Sequence, residues 1–324
     1  MSTPVPASST APALHIATPL LESGAFSARA GQAVWLKMEA LQPTGSFKLR
    51  GIGHACAEYQ RRGAKRFISS SGGNAGIAAA YSGRKLGVPV LVVVPETTSA
   101  RARALIAREG AEILVHGAAF HEAHAHALAL VGVGDAFIHP YDDPLLWEGH
   151  ASMIDEIAAA GVKPDAVVLS VGGGGLLAGV IAGLRRHGWD DVPVIAVETA
   201  GADAFAQSVL AGRQVELPAI TSIATSLGAR SIALQALKRA QEHPVRSYVV
   251  SDNDAVQGAM RFMDDQRVVV EPACGAALAI AYQANTVLKE FDTVVVIVCG
   301  GVTATVVQLE QWSEIAERRL ANRA

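Results

Sequence analysis

Short runs rich in Val and Ile alternate with longer Ala-rich segments along the chain, and Gly or Pro separates them. This alternation predicts repeated strand–helix units. Several runs, such as 91–94 and 294–297, are apolar at successive positions, which is typical of parallel strands covered on both faces. We therefore predict an α/β protein with two lobes, each an open, largely parallel sheet with helices on both faces.

Nine segments are predicted as strands: 34–39, 65–70, 88–94, 112–116, 135–139, 165–171, 192–198, 246–250 and 293–299. Nine strands are many for one sheet, so Asp142-Asp143-Pro144 is predicted as a crossing between two layered lobes. The last segment, 308–324, is predicted as a helix. We expect a large domain formed by 1–42 and 145–324, and a small domain, 43–144.

The charge balance argues against a nucleic-acid partner. The 324 residues carry 27 Lys plus Arg and 30 Asp plus Glu, so there is no basic excess to neutralise phosphates. Two uncharged stretches, 166–184 and 293–309, contain consecutive glycines in their middle, which favours strand, turn and helix over a membrane span. We expect neither nucleic-acid nor membrane binding.

Features of the termini and the cysteines predict the compartment. Residues 1–12 lack basic residues and an apolar run, so we expect a loose arm and no secretory signal. The three cysteines form neither a metal-binding pattern nor an even set for disulfides. A reducing, cytoplasmic location follows as the expectation.

Ligands of open α/β sheets bind at the carboxyl ends of strands, and four loops in such positions are unusual. The first spans Pro43 to Gly51, in which Ser46 is predicted to cap a helix that begins near Phe47 and carries Lys48 in its first turn. The field of a helix N-terminus favours a neutral amine, which suits imine chemistry. The alternative is a surface lysine on a helix.

The second loop is Ser69-Ser70-Ser71-Gly72-Gly73-Asn74-Ala75-Gly76. Its glycines and backbone N–H groups, with the side chains of Ser71 and Asn74, could surround a carboxylate at a helix N-terminus. The alternative is that Asn74 only caps the helix.

The third loop is the run Gly172-Gly173-Gly174-Gly175 before a helix that opens near Leu176. Backbone amides without side chains can close on a phosphate. The run also fits the dinucleotide pattern G-x-G-x-x-A, with Glu198 at the end of the next strand as the acidic residue. Tight strand–helix packing is a third explanation.

The fourth loop places Cys299 at a strand end beside Gly300 and Gly301, where a thiol can meet a ring atom of a ligand. The alternative is that Cys299 is only a small apolar side chain, as a lone buried Cys more often is. A histidine group, His121, His124 and His126, lacks an acidic or Cys partner, so a solvated helix face explains it better than a metal site.

Together, in this order and spacing, the four motifs resemble the fold type II family of pyridoxal-phosphate enzymes, whose fold is that of tryptophan synthase β. Within it they resemble the mammalian-type catabolic L-serine dehydratases and L-threonine deaminases. The resemblance implies pyridoxal 5'-phosphate as cofactor, with Lys48 as its imine partner and catalytic base. The other implied residues are Ser71, Gly72, Gly73, Asn74 and Ala75 for the substrate, and Phe47, Asn74, Gly172, Gly173, Gly174, Gly175, Leu176, Ala224 and Cys299 for the cofactor.

The resemblance also implies that Glu198 and Ala202 lie around a monovalent cation, such as K⁺, and that an amino acid is the substrate of a homodimer. The implied reaction removes water from L-serine, and from L-threonine, to give pyruvate or 2-oxobutanoate and ammonia. Racemases of this group use a serine at the position of Gly72 as a second acid, and Gly72 has no side chain. A serine racemase, a cysteine-synthase-like β-replacement enzyme and an NAD-dependent dehydrogenase remain as alternatives.

Overall fold

The computed structural model describes residues 13–283 and 287–321, and in these ranges the chain forms ten β-strands in two sheets. The strands are β1 Leu20–Glu22, β2 Ala33–Lys37, β3 Arg66–Ser69, β4 Val90–Val94, β5 Glu112–Val115, β6 Asp135–Ile138, β7 Ala166–Ser170, β8 Val194–Thr199, β9 Val245–Val250 and β10 Thr293–Ile297. All nine predicted strands are confirmed. The prediction missed β1, a three-residue strand at a sheet edge.

The larger sheet has the order β1-β2-β10-β7-β8-β9, and only β1 is antiparallel to its neighbour. The smaller sheet has the order β5-β4-β3-β6 and is entirely parallel. The smaller sheet uses one continuous part of the chain, whereas the larger sheet combines strands from before and after it. Helices flank both sheets, so the predicted α/β class is confirmed.

Twelve α-helices lie in the described residues. They are α1 Gly24–Ala30, α2 Lys48–Arg61, α3 Asn74–Leu86, α4 Ala100–Arg108, α5 Phe120–Ala129, α6 Pro144–Ala159, α7 Gly175–Arg186, α8 Ala204–Ala211, α9 Leu234–Glu242, α10 Asp252–Gln266, α11 Pro272–Tyr282 and α12 Val306–Ala321. Among these described helices, none combines the length and the apolar character needed to cross a membrane. The arm predicted at 1–12 lies outside the described residues.

The core of the larger sheet explains the apolar runs. Every residue of β7 and β8 is buried, and α7 and α11 both pack against these two strands. Fully burying one Val, Leu or Ile contributes about 1.5–3 kcal/mol, so these central strands dominate the stability of the larger sheet. Their carboxyl ends are thereby fixed points on which loops can be built.

The predicted crossing between the sheets is the start of α6. Asp143 caps this helix by accepting a hydrogen bond from the Leu145 N–H at 2.8 Å, and Pro144 occupies the first helical position, where an N–H is not needed. Helix α6 packs against α2 on one side and α7 on the other. It therefore joins the helix after the first unusual loop to the helix after the glycine run.

Candidate active site

A cavity of about 470 Å³ lies among the loops that follow the strands of both sheets. Eight of the predicted site residues line it: Lys48, Ser71, Gly72, Gly73, Asn74, Ala75, Gly173 and Ala224. Segments more than a hundred residues apart in sequence thus meet at one place, as the motif positions predicted. Glu198 and Ala202 do not line it, and both are buried elsewhere in the larger sheet region.

Lys48 is the first residue of α2, and its side chain reaches the cavity wall. Its Nζ donates a hydrogen bond to the Pro140 carbonyl oxygen at 2.5 Å. Burial lowers the pKa of Lys48 from 10.5 to about 8, because the protonated amine loses its water. A substantial fraction of the amine is therefore neutral near pH 8, and the surface-lysine alternative is wrong.

The start of α2 is held by backbone bonds to the end of β10. The Phe47 N–H donates to the Cys299 carbonyl at 3.1 Å, and Ser46 pairs with Gly300 in an isolated bridge. The predicted Ser46 cap is wrong: Phe47 is the N-cap residue, and the buried Ser46 hydroxyl has no partner in the described part of the chain. Main-chain pairing, not a side-chain cap, positions Lys48.

A buried ionic cluster fixes the next turn of α2. Arg50 is fully buried, and its guanidinium donates to Glu39 at 2.7 Å and to Glu156 at 2.6 Å. Removing one partner of such a buried pair typically costs about 3–5 kcal/mol, because a charge is left uncompensated. Arg50 lies two residues after Lys48, so the cluster restrains the orientation of the lysine-bearing turn.

The turn after β3 presents unused donors to the cavity. Helix α3 begins at Asn74 with Gly73 as its N-cap residue, so the alternative that Asn74 caps the helix is wrong. The backbone N–H groups of Asn74, Ala75 and Gly76 donate no hydrogen bond within the described residues. A β-carbon at Gly76 would lie 1.8 Å from the Ser71 carbonyl oxygen, so this close turn requires glycine. Free donors at a helix N-terminus suit a carboxylate.

Asn74 has both ends of its amide engaged. Its Nδ2 donates to Glu271 Oε1 at 2.7 Å, and its Oδ1 accepts from the Val302 N–H at 3.2 Å. Only this orientation of the amide satisfies both partners. One Nδ2 hydrogen remains for a ligand.

Glu271 is the residue that the sequence analysis missed. Its carboxylate also accepts from the Thr303 hydroxyl at 3.1 Å, and burial raises its pKa. It precedes Pro272 at the start of α11 and follows the apolar run 268–270. That combination, an acidic residue between a strand-like run and a helix-opening proline, was the available signal.

The glycine run ends at the N-terminus of α7 and carries free amides. The six N–H groups from Gly172 to Leu177 donate no hydrogen bond within the residues described. Packing constrains the run as well: a β-carbon at Gly173 would lie 2.3 Å from the Tyr141 ring, and one at Gly174 would lie 2.3 Å from Ala236 Cβ. The run is therefore both closely packed and able to receive an anion.

Glu198 is placed differently from the acidic residue of a dinucleotide site. It is fully buried and accepts from the N–H groups of Phe205 at 2.8 Å and Ala206 at 2.7 Å. Burial raises its pKa to about 8. Glu198 does not reach the cavity, so it does not act there as the acidic residue of a dinucleotide site. The observation that favoured a dehydrogenase is therefore lost.

Cys299 is buried at the end of β10, close to Lys48 and Glu271. A hydrogen bond with the Cys274 thiol, together with burial, holds the pKa of Cys299 well above its usual range, so the thiol stays neutral. The Phe47 ring centroid lies 5.1 Å from the Lys48 Nζ atom.

The histidines of the group at 121–126 differ in their surroundings. The described ranges 13–283 and 287–321 contain no group of His, Cys, Asp and Glu residues suited to a metal ion. His121 is exposed, but His124 is half-buried, and its Nδ1 lies 2.9 Å from the Ser70 hydroxyl. The prediction of a solvated face is thus wrong at His124. This histidine supports the turn that follows β3 through its contact with Ser70.

Comparisons with known proteins agree with this geometry. A family model described as "Pyridoxal-phosphate dependent enzyme" matches residues 13–300. The chain is 48% identical over 312 residues to the human "L-serine dehydratase/L-threonine deaminase", covering 93% of this chain and 95% of that protein. It is 51% identical over 308 residues to the mouse "Serine dehydratase-like" protein, covering 92% of this chain and 93% of that protein. A fungal L-serine ammonia-lyase from Rhizomucor miehei superposes with a TM-score of 0.89 and 37% identity, over 94% of this chain and 99% of that one.

Proposed function

The chain belongs to the pyridoxal-phosphate dependent enzyme family, and on this premise we propose that it removes water from L-serine, and from L-threonine. The products are pyruvate or 2-oxobutanoate and ammonia, so the enzyme is an ammonia-lyase. The observation that carries the proposal is the convergence of Lys48, the turn 71–75 and Gly173 of the glycine run on one cavity.

The residues around the cavity fit pyridoxal 5'-phosphate. The free amides of 172–177 at the N-terminus of α7 suit its phosphate. The remaining Nδ2 hydrogen of Asn74 suits the ring hydroxyl, and the neutral thiol of Cys299 suits the ring nitrogen. We assign Phe47 and Ala224 to the two faces of the cofactor ring and Leu176 to the wall behind the cofactor phosphate. The Lys48 amine is assigned to the carbonyl carbon of the cofactor.

When bound, the cofactor supplies an electron sink for the charge that develops at the substrate α-carbon. Ser71, Gly72, Gly73, Asn74 and Ala75 orient the substrate carboxylate through their backbone and side-chain donors. Lys48 removes the α-proton, and a pKa of about 8 makes its neutral form available near neutral pH. The raised pKa of Cys299 keeps its thiol uncharged, so the thiol would not hold a full proton on the ring nitrogen of the cofactor. A ring nitrogen without a full proton favours rapid elimination.

Elimination is favoured over racemisation because racemisation needs a second acid on the face opposite Lys48. Gly72, at the position where racemases of this group carry a serine, has no side chain. The test is to incubate the protein with L-serine and separate the products on a chiral column. Pyruvate in excess over D-serine supports the proposal, and D-serine accumulating faster than pyruvate contradicts it. Cysteine formation from O-acetylserine and sulfide, faster than pyruvate from L-serine, would favour β-replacement.

We further propose that a monovalent cation such as K⁺ binds at Glu198 and Ala202. The buried Glu198 carboxylate receives two backbone N–H groups but no cationic side chain within the described residues, and a cation would offset its desolvation.

We also propose that the protein is a homodimer located in the cytoplasm. Residues 43–144 form the domain that closes over the substrate. The three cysteines, which are buried free thiols, support the reducing location.

A further inference from the structure

Gly72 faces the side chain of Thr98 across a gap too small for a methyl group. A β-carbon at residue 72 would lie 2.5 Å from Thr98 Oγ1 and 2.7 Å from Thr98 Cγ2. At the adjacent Gly73, a β-carbon would meet nothing within 4 Å. The Thr98 side chain therefore occupies the volume that a side chain at residue 72 would need.

The Thr98 backbone is held in place by two hydrogen bonds. Its N–H donates to the Pro95 carbonyl at 3.0 Å, and its carbonyl accepts from Arg103 Nε at 2.9 Å. These bonds fix the loop between β4 and α4. A backbone shift that moves Thr98 away from residue 72 would break these bonds.

The Thr98 hydroxyl is available to a ligand. The side chain is half-buried and lines the cavity, and its hydroxyl makes no hydrogen bond with any other described residue. Its nearest neighbour across the gap, Gly72, belongs to the turn that we assign to the substrate carboxylate.

We propose that Thr98 is a substrate-binding residue that donates a hydrogen bond to the substrate carboxylate and, with Gly72, forms one complementary wall of the substrate site. This inference rests on the proposed function. It implies that residues 72 and 98 act as a pair: a side chain at residue 72 is accommodated only when that of Thr98 is smaller.

The packing part is tested by thermal unfolding of the protein before cofactor is added, using Gly72→Ala, Thr98→Ala and the double variant. Overpacking should lower the melting temperature of Gly72→Ala by about 2 °C or more. The double variant should recover most of this loss. Gly73→Ala is the matched control: it has open space at the same turn, so any loss from the weaker N-cap should not be recovered by adding Thr98→Ala. Effects of Gly72→Ala and Thr98→Ala that simply add would overturn the pairing.

The binding part is tested by steady-state kinetics of the holoenzyme with L-serine. Loss of a hydrogen bond to a charged group should raise KM in Thr98→Ala about tenfold, with a smaller change in kcat. Thr98→Ser keeps the hydroxyl and should restore the wild-type KM. Thr97→Ala is the control, because it shortens a second threonine that is not among the nearest neighbours of Gly72. Unchanged KM in Thr98→Ala, or no rescue by serine, would overturn the inference. Failure of the wild type to form pyruvate would instead refute the proposed function and leave the unfolding result standing.

Discussion

The Asn74 Nδ2 atom donates a hydrogen bond to Glu271 Oε1 at 2.7 Å, although the two residues are 197 positions apart. The bond joins the turn after β3 of the smaller sheet to the start of α11, which packs on the larger sheet. It fixes the amide plane of Asn74 and so the direction of its remaining N–H. Glu271 thereby orients the Asn74 amide at the wall of the cavity, which both residues line.

We expect Glu271→Ala to weaken pyridoxal phosphate binding about tenfold, because Asn74 and Thr303 both lose their partner. Glu271→Gln keeps an acceptor for Asn74 and should remain within about threefold of the wild type. Fluorescence titration with the cofactor measures both. An equal loss in the two variants would mean that charge, not hydrogen bonding, is what Glu271 supplies.

Gly174→Ala should reduce cofactor affinity by at least about tenfold, because the added β-carbon meets Ala236 and disturbs the amides of the run. Gly161→Ala is the matched control, since Gly161 has φ +77, close to the +89 of Gly174, but open space around it. Both should lose about 1 kcal/mol or more of stability from backbone strain. If Gly174→Ala loses stability but keeps its affinity, the glycines serve packing alone.

Lys48→Met should be more stable than the wild type near neutral pH when cofactor is absent. The Lys48 pKa is 10.5 in the unfolded chain and about 8 in the folded protein, so between these values the unfolded chain holds the extra proton. Wild-type stability therefore rises with pH across this window relative to the variant, and the difference should shrink. Denaturant unfolding at about pH 7 and about pH 10 measures it. A difference that is constant with pH would contradict the lowered pKa.

K⁺ should stabilise the protein more above pH 8 than below it. Glu198 has its pKa raised to about 8, so only at higher pH does it carry the full negative charge that a cation would bind. Melting temperatures with KCl or choline chloride, at about pH 6 and about pH 9, separate specific binding from ionic strength. Glu198→Gln should abolish the K⁺ effect. A K⁺ effect that survives in this variant would place the cation elsewhere.

The fold followed largely from periodicity. The apolar runs of β4 and β10 predicted buried parallel strands because both faces of such strands are covered. The strand β1 was missed because a three-residue edge strand carries too short a pattern to distinguish it from a loop. The order of strands could not be predicted, since β10 pairs with β2 over a separation that local pattern does not encode.

The sequence predicted candidate residues at the cavity where a loop carries its own signal, as at Lys48 and Gly173. It was not predictable where a residue acts through a distant contact. The role expected for Glu271 depends on its contact with Asn74, and the role proposed for Thr98 depends on the missing side chain at Gly72. Ser46 was assigned to a cap by its residue type, but backbone pairing with Gly300 took its place.

Lys48 is the residue that we propose to hold the cofactor, and every other role proposed at the cavity depends on it. The direct measurement is to incubate the purified protein with pyridoxal phosphate, reduce it with borohydride and map the modified peptide by mass spectrometry. We predict the added mass on the peptide that contains Lys48, and no adduct on that peptide in Lys48→Ala. Stoichiometric modification of a different lysine, or none at all, would contradict the assignment.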